Sequence, residues 1–246
     1  VLDMVEEASL IAPVVDALVR ERHVVSIDTY KPVVARAALD AGAHIVNDIS
    51  GLTQGTGAAE EAARSGAGYV LNYSHSVPKR RPTKPPRYTD VVIETVAWMF
   101  ERVEVLRALG LEDPQVAIDP GIAFGKSHDE DLQVIRRICE FTSLGLPVLL
   151  AHSRKNFIGS VTGLPPADRD PETHVATALA YEHGARIFRV HDPAGARRAL
   201  EFAAALTSPA GRYGPDAESW PWRAGASAAH MTSAAPDKPA PSGQRW

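Results

Sequence analysis

Residues 24–50, VVSIDTYKPVVARAALDAGAHIVNDIS, decide the fold. A β-branched run, VVSIDT (24–29), gives way to KPVVARAALDAGA, an amphipathic stretch of helical character, and then to a second apolar run, HIVNDIS (44–50). This is a βα unit followed by the strand of the next unit. Both strands turn polar near their ends, at Asp28 in the first and at Asn47 and Asp48 in the second.

The pattern repeats along the chain. Further strands are expected at GYVLNYS (68–74), QVAIDP (115–120), PVLLAHS (147–153) and RIFRVHD (186–192). The clearest helix runs from Asp90 to Leu109 beneath a Thr89 N-cap, with Val92, Val96, Met99, Val103 and Leu106 at helical spacing. Other helices fall in EEAARSGA, ETHVATALAYEHGA and PAGARRALEFAAAL, and one precedes the first strand in VEEASLIAPVVDALVR. Gly42, Gly66, Gly110, Gly145 and Gly184 each stand between a helix and the next strand, where a left-handed C-cap is favoured.

Six such units fit either a (β/α)8 barrel or a doubly wound sheet. The strand ends decide between them. Asp28, Asn47 with Asp48, Asn72, Asp119, Ser153, and Arg189 with His191 would all converge on one mouth in a barrel. A doubly wound sheet would carry a glycine-rich phosphate loop after its first strand, and no G-x-G-x-x-G or Walker loop occurs. The expected fold is therefore an α/β TIM barrel reduced to about six recognisable βα units. Because the chain opens on a helix, the first strand, its helix and the second strand are expected to be lacking at the N-terminus. The barrel domain is read as residues 1–206. Residues 207–246, rich in Pro, Gly, Ala and Ser, read as a disordered tail in which Trp220, Trp222 and Trp246 define no site.

Composition narrows the function. The 246 residues are 45% hydrophobic, enough for one sizeable core. A net charge of −4 without a basic face argues against a dedicated nucleic-acid binder. No apolar run approaches membrane-spanning length and no secretory signal is present, so a cytoplasmic setting is expected. Cys139 is the only cysteine, which rules out an intramolecular disulfide or a cysteine-built zinc site. It is expected in the core, on a helix face shared with Leu132, Ile135 and Ile138.

Three groups carry chemistry. Asp28, Asn47 and Asp119 lie late in their strands, where two carboxylates and an amide suit the ring N–H and amino groups of a planar heterocycle. Alternatively each caps the turn that follows. The loop DPGIAFGKSHDEDL (119–132) presents Phe124 and Lys126 near the mouth, and HSRKNFIG (152–159) presents Arg154 and Lys155, either to an anion or carbonyl group or in a surface ion pair. In IFRVHDP (187–193), Arg189 and His191 share one strand face and suit an anion, or form a structural pair. Asp192, on the other face, is placed to orient the next helix.

The ordered set SIDTYK, NDIS, DPGIAFGK, SRKNFIG and RVHD resembles the dihydropteroate synthase family, and the resemblance covers about residues 5–206. It implies a TIM-barrel transferase of folate biosynthesis that joins 6-hydroxymethyl-7,8-dihydropterin pyrophosphate to 4-aminobenzoate and releases pyrophosphate. It implies that Asp28, Asn47, Asp119 and Lys155 bind the pterin, that Arg189 and His191 hold the pyrophosphate, and that Phe124 and Lys126 line the pterin and aminobenzoate pockets. Asn156 stands at the aminobenzoate end, where a serine is common in the family. Catalytic roles fall to Lys155, Arg189 and His191. Mg2+ is the implied cofactor and a homodimer the implied assembly.

This chain also departs from the family pattern. The Asn-x-Thr-Pro-Asp-Ser-Phe type loop that helps bind Mg2+ and the Gly-Gly-Glu-Ser-x-Arg-Pro-Gly type loop do not occur, so no metal ligand is assigned. Tyr73 replaces a usual histidine and Glu172 a usual glycine. These departures keep a non-catalytic or altered-substrate pterin-binding homologue in view. A methyltetrahydrofolate-type methyltransferase fits less well, because Arg189 and His191 suit a pyrophosphate leaving group.

Overall fold

The structure, a computed structural model, describes residues 3–75 and 86–207. The tail expected from residue 207 onward, its three tryptophans included, lies outside the described residues except for Thr207, which ends a helix. The chain begins with α1 (Met4–Arg20), capped by the Asp3 carboxylate, and continues through β1 (Ser26–Asp28), α2 (Pro32–Asp40), β2 (Ile45–Asp48), α3 (Gly57–Ser65) and β3 (Gly68–Asn72). Next come α4 (Val91–Ala108), β4 (Val116–Asp119), α5 (His128–Arg136), α6 (Ile138–Phe141) and β5 (Val148–Leu150). The described chain closes with α7 (Asn156–Thr162), α8 (Asp170–Glu182), β6 (Ala185–Phe188) and α9 (Pro193–Thr207).

The six strands among the described residues are all parallel, and they lie side by side in chain order from β1 to β6. A doubly wound sheet reverses direction at a switch point. This sheet does not. It also curls: in a flat sheet five steps of about 4.8 Å would set β1 and β6 about 24 Å apart. Yet Arg189, immediately after β6, places its Nη2 3.4 Å from Oδ2 of Asp28 at the end of β1. The sheet is the curved inner wall of a (β/α) barrel, built here from six strands.

Alternation along the strands separates two cores. Val46, Tyr69, Leu71, Val116, Ile118, Val148 and Leu150 face outward into the large core shared with the helices. Val70, Ala117 and Leu149 face inward, joined by Ile45, Ala151 and Ile187. Two residues on from inward Ile45, Val70 and Ala117 stand Asn47, Asn72 and Asp119, so the same parity turns them toward the barrel interior. Asp48 is turned outward instead. Its carboxylate accepts the Tyr69 hydroxyl at 2.7 Å and the N–H groups of Ser50 and Leu52, a structural assignment for this residue.

Several local expectations are corrected. The cap of α4 is Asp90, not Thr89: its carboxylate accepts from both Val92 and Ile93 N–H groups. Cys139 is exposed rather than in the core, because the helix breaks at Arg137 (φ −113°) between α5 and α6 and the periodicity read across it does not hold. The last strand stops at Phe188 instead of running to residue 192. Its partner β5 stops at Leu150, whose carbonyl takes the final ladder bond from Arg189 N–H at 3.1 Å. The five glycines expected between helices and strands all adopt left-handed backbone angles.

Candidate active site

The inner face ends in a rim at the C-terminal ends of the strands. Asp28, Asn47, Asn72 and Asp119 lie on it in strand order, and the pairing register sets Asp28 beside Asn47 and Asn72 beside Asp119. Asp119 is buried, and Gly121 N–H donates to its Oδ1 at 2.8 Å. Burial pushes the Asp119 carboxyl above its ordinary value, against the opposing pull of Lys155, Lys126 and Arg189. One buried carboxylate thus sits within the field of three cationic side chains from three different segments.

The two lysines are held by backbone carbonyls. Lys126 Nζ donates to Pro120 O at 2.8 Å and to Gly121 O at 3.2 Å, and lies 3.8 Å from the centre of the Tyr73 ring. Its stem is half-buried while the ammonium turns inward, and desolvation lowers its pKa to about 7. Lys155 Nζ donates to Ile122 O at 2.6 Å and lies 5.2 Å from the centre of the Phe124 ring. Burial lowers the Lys155 pKa as well, with Asp119 and Asp131 opposing. The loop after β4 therefore supplies both the carboxylate and the carbonyl cradles for the ammonium groups facing it.

Arg189 and His191 both lie at this rim, beyond the end of β6 and exposed, rather than on a buried strand. They engage different neighbours. Arg189 reaches Asp28, whereas His191 Nδ1 lies 2.8 Å from Ser153 Oγ and its N–H donates to the same oxygen at 3.1 Å. Asp192 orients the next helix as expected: its Oδ1 accepts Gly195 N–H at 3.0 Å in the first turn of α9, and its other oxygen lies 3.3 Å from His174.

The pair Arg154 and Lys155 is divided. Arg154 turns away to Asp170, with contacts of 2.8 and 2.6 Å, so the ion-pair alternative holds for it and only Lys155 faces the rim. Asn156 opens α7, exposed, with its Oδ1 accepting from Arg169 Nη1 at 3.3 Å. Tyr73 is buried, bonded through its hydroxyl to Tyr88 at 2.8 Å and packed edge-on to Trp98. Glu172, in the first turn of α8, has one buried carboxylate oxygen with no hydrogen-bond partner among the described residues. Among the described residues no three His, Cys, Asp or Glu side chains gather as a metal site.

Asn72 and Ser153, legible in the sequence only as strand ends, also lie at this rim. Asp131 carries no such signal: its buried carboxylate accepts Ala123 N–H at 2.8 Å and braces the loop carrying Phe124. Only the folded loop reveals that role.

A curled parallel sheet with its polar and charged side chains gathered at the strand C-termini defines a (β/α)-barrel protein with a ligand site at the mouth. Residues 1–191 match a family model described as pterin binding enzyme. Dihydropteroate synthase of Bacillus subtilis is 38% identical over 188 residues, covering 76% of this chain and 63% of its own length. Inactive dihydropteroate synthase 2 of Mycobacterium bovis is 37% identical over 191 residues, covering 75% and 59%. This chain therefore spans less than two thirds of the length of either relative. The crystal structure of dihydropteroate synthase from Stenotrophomonas maltophilia with imidazole in its active site, 36% identical, aligns with a TM-score of 0.80 over 85% of this chain and 78% of that one. The chain belongs to the dihydropteroate synthase family of pterin-binding enzymes.

Proposed function

We propose that this chain carries the dihydropteroate synthase reaction, in which 4-aminobenzoate displaces pyrophosphate from the methylene carbon of 6-hydroxymethyl-7,8-dihydropterin pyrophosphate. The observation that supports this most is the buried Asp119 carboxylate on the inner face, with Lys155, Lys126 and Arg189 around it at one rim. Asp119, Asn47 and Asp28 offer acceptors to the amino and ring N–H groups of the pterin. Lys155 donates from the facing segment.

Beyond the pterin, Arg189 presents a planar fork to the pyrophosphate oxygens. His191 adds a second donor: with Ser153 on Nδ1, its Nε2 is the nitrogen turned to the anion. The C–O bond to pyrophosphate breaks as charge builds on the leaving oxygens, and donors fixed in advance stabilise that charge. The arylamine nitrogen then bonds to the methylene carbon and gives up a proton. Phe124 and Asn156 flank the path of the arylamine. Lys155, Arg189 and His191 are the catalytic group of this reading. Mg2+, when bound, would supply counter-charge to the pyrophosphate oxygens, and no residue of this chain is assigned to hold it.

The setting we propose is cytoplasmic and the assembly a homodimer. Val175 and Leu179 on α8 and Phe202 and Leu206 on α9 are exposed apolar side chains that suit a self-association face. No helix among the described residues is long and apolar enough to cross a membrane.

A second reading, pterin binding without turnover, is favoured by the relative named inactive, which is about as similar as the synthase of B. subtilis, and by Tyr73, whose ring packs on Lys126 instead of presenting an imidazole. The test is incubation with the pterin pyrophosphate, 4-aminobenzoate and Mg2+. Formation of 7,8-dihydropteroate with stoichiometric pyrophosphate supports the synthase. Saturable pterin binding with no product supports the second reading.

A further inference from the structure

We propose that Arg169 is a positioning residue for Lys155: its guanidinium, seated against Gly159, holds the turn from which Lys155 enters the rim. The inference rests on Lys155 being a ligand-binding group, as set out above. Arg169 is 7% exposed, and among the described residues no carboxylate forms an ion pair with it. A buried cation without a counter-charge is costly, so its neutral partners matter. Nε donates to Leu164 O at 2.8 Å, while Nη1 donates to Arg154 O at 2.9 Å, Lys155 O at 3.2 Å and Asn156 Oδ1 at 3.3 Å. One side chain thus closes the whole excursion from Arg154 to Leu164.

The turn needs such a restraint. Arg154 has φ 58°, a left-handed conformation uncommon for a residue with a Cβ. Arg169 itself is anchored from behind, where its carbonyl accepts from the Thr173 N–H at 3.0 Å and the Thr173 hydroxyl at 2.7 Å. The Thr173 hydroxyl also accepts Arg154 N–H at 3.2 Å. Gly159 explains how the guanidinium fits. A Cβ there would lie 2.1 Å from Arg169 Nη2 and 2.5 Å from Cζ, so a glycine that weakens α7 opens the seat. The result is that Lys155 leaves the turn aimed at Ile122 O, within the field of Asp119 and Asp131.

The test uses the full chain and an amine-acylating reagent under native conditions, with modification of each lysine followed by mass spectrometry. Lys31, at the N-cap of α2 and ion-paired with Glu7, serves as the reference. Arg169→Gln and Gly159→Ala are each expected to raise Lys155 labelling at least threefold with Lys31 unchanged, and to weaken pterin pyrophosphate binding about tenfold. In the double variant, Gly159→Ala should add nothing to Arg169→Gln, because the group it displaces is already gone. Unchanged Lys155 labelling, an equal rise at Lys31, or additive effects in the double variant would overturn the positioning role. Faster Lys155 labelling with unaltered pterin pyrophosphate affinity would uphold that role and overturn the pterin-binding assignment of Lys155.

Discussion

Arg189 and Asp28 meet at 3.4 Å although 161 residues separate them in the chain. The contact joins the ends of the first and last described strands across the mouth of the curl. Their side chains are 65% and 39% exposed, so the pair stabilises the fold by at most about 1 kcal/mol. In the proposed reaction its larger effect is to hold a guanidinium over the site. Asp28→Asn is expected to leave the melting temperature within about 2 °C. It should raise affinity for inorganic pyrophosphate severalfold at low salt, by removing a competing negative charge, while weakening pterin binding. Isothermal titration with the two ligands separates the effects; changes of the same sign for both would contradict a split between a pterin end and an anion end.

Ser153 Oγ touches both the ring and the backbone N–H of His191. Ser153→Ala removes both hydrogen bonds, each worth about 1 kcal/mol net, and frees the imidazole to rotate. The expected outcome is a fivefold or so loss of pyrophosphate affinity with pterin affinity retained, and a change in the 15N shifts that report the His191 tautomer. An unaltered tautomer population would show that Ser153 does not orient the ring.

Asp131 makes stability depend on pH with a definite sign. Burial raises its carboxyl from 3.8 to about 6, so between about pH 4 and 6 the folded protein binds this proton more tightly than the unfolded chain does. Stability from this group therefore falls as pH rises through that window, and at pH 7.5 the ionised carboxylate costs the fold about 3 kcal/mol. Asp131→Asn keeps an oxygen for Ala123 N–H and removes the ionisation. The variant should melt above the parent at pH 7.5, with the gap closing by pH 4. Thermal scans showing a constant gap, or one that widens in acid, would contradict the assignment.

Gly121 fixes the start of the same loop. It has φ 70°, and a Cβ there would lie 2.3 Å from Tyr73 O, a backbone atom that cannot move aside cheaply. Gly121→Ala is expected to cost about 2 kcal/mol or more in denaturant unfolding and to weaken pterin binding in proportion to the displacement of Asp119. A neutral substitution would mean that the loop has room the structure does not show.

Much of this was legible in the sequence because it rests on short-period patterns. The repeated βα units gave the parallel sheet, and strict alternation carried Asp28, Asn47 and Asp119 to one face. Where the period breaks, the reading failed. Helical spacing continued across Arg137 put Cys139 in the core, and alternation continued past Phe188 put Arg189 and His191 on a strand that had already ended. Asp131 and Arg169 left no local signal. Both act through hydrogen bonds to main-chain groups of distant residues, and a main-chain carbonyl or N–H is the same whatever residue bears it.

In the proposed reaction the rim divides into a pterin end at Asp119 and an anion end at Arg189. The most direct measurement is equilibrium titration of Arg189→Ala against two ligands, the pterin pyrophosphate and the same pterin bearing a free hydroxymethyl group. The expected result is at least a tenfold loss for the pyrophosphate ester with the hydroxymethyl pterin unchanged. Equal losses for both ligands, or none for either, would contradict it.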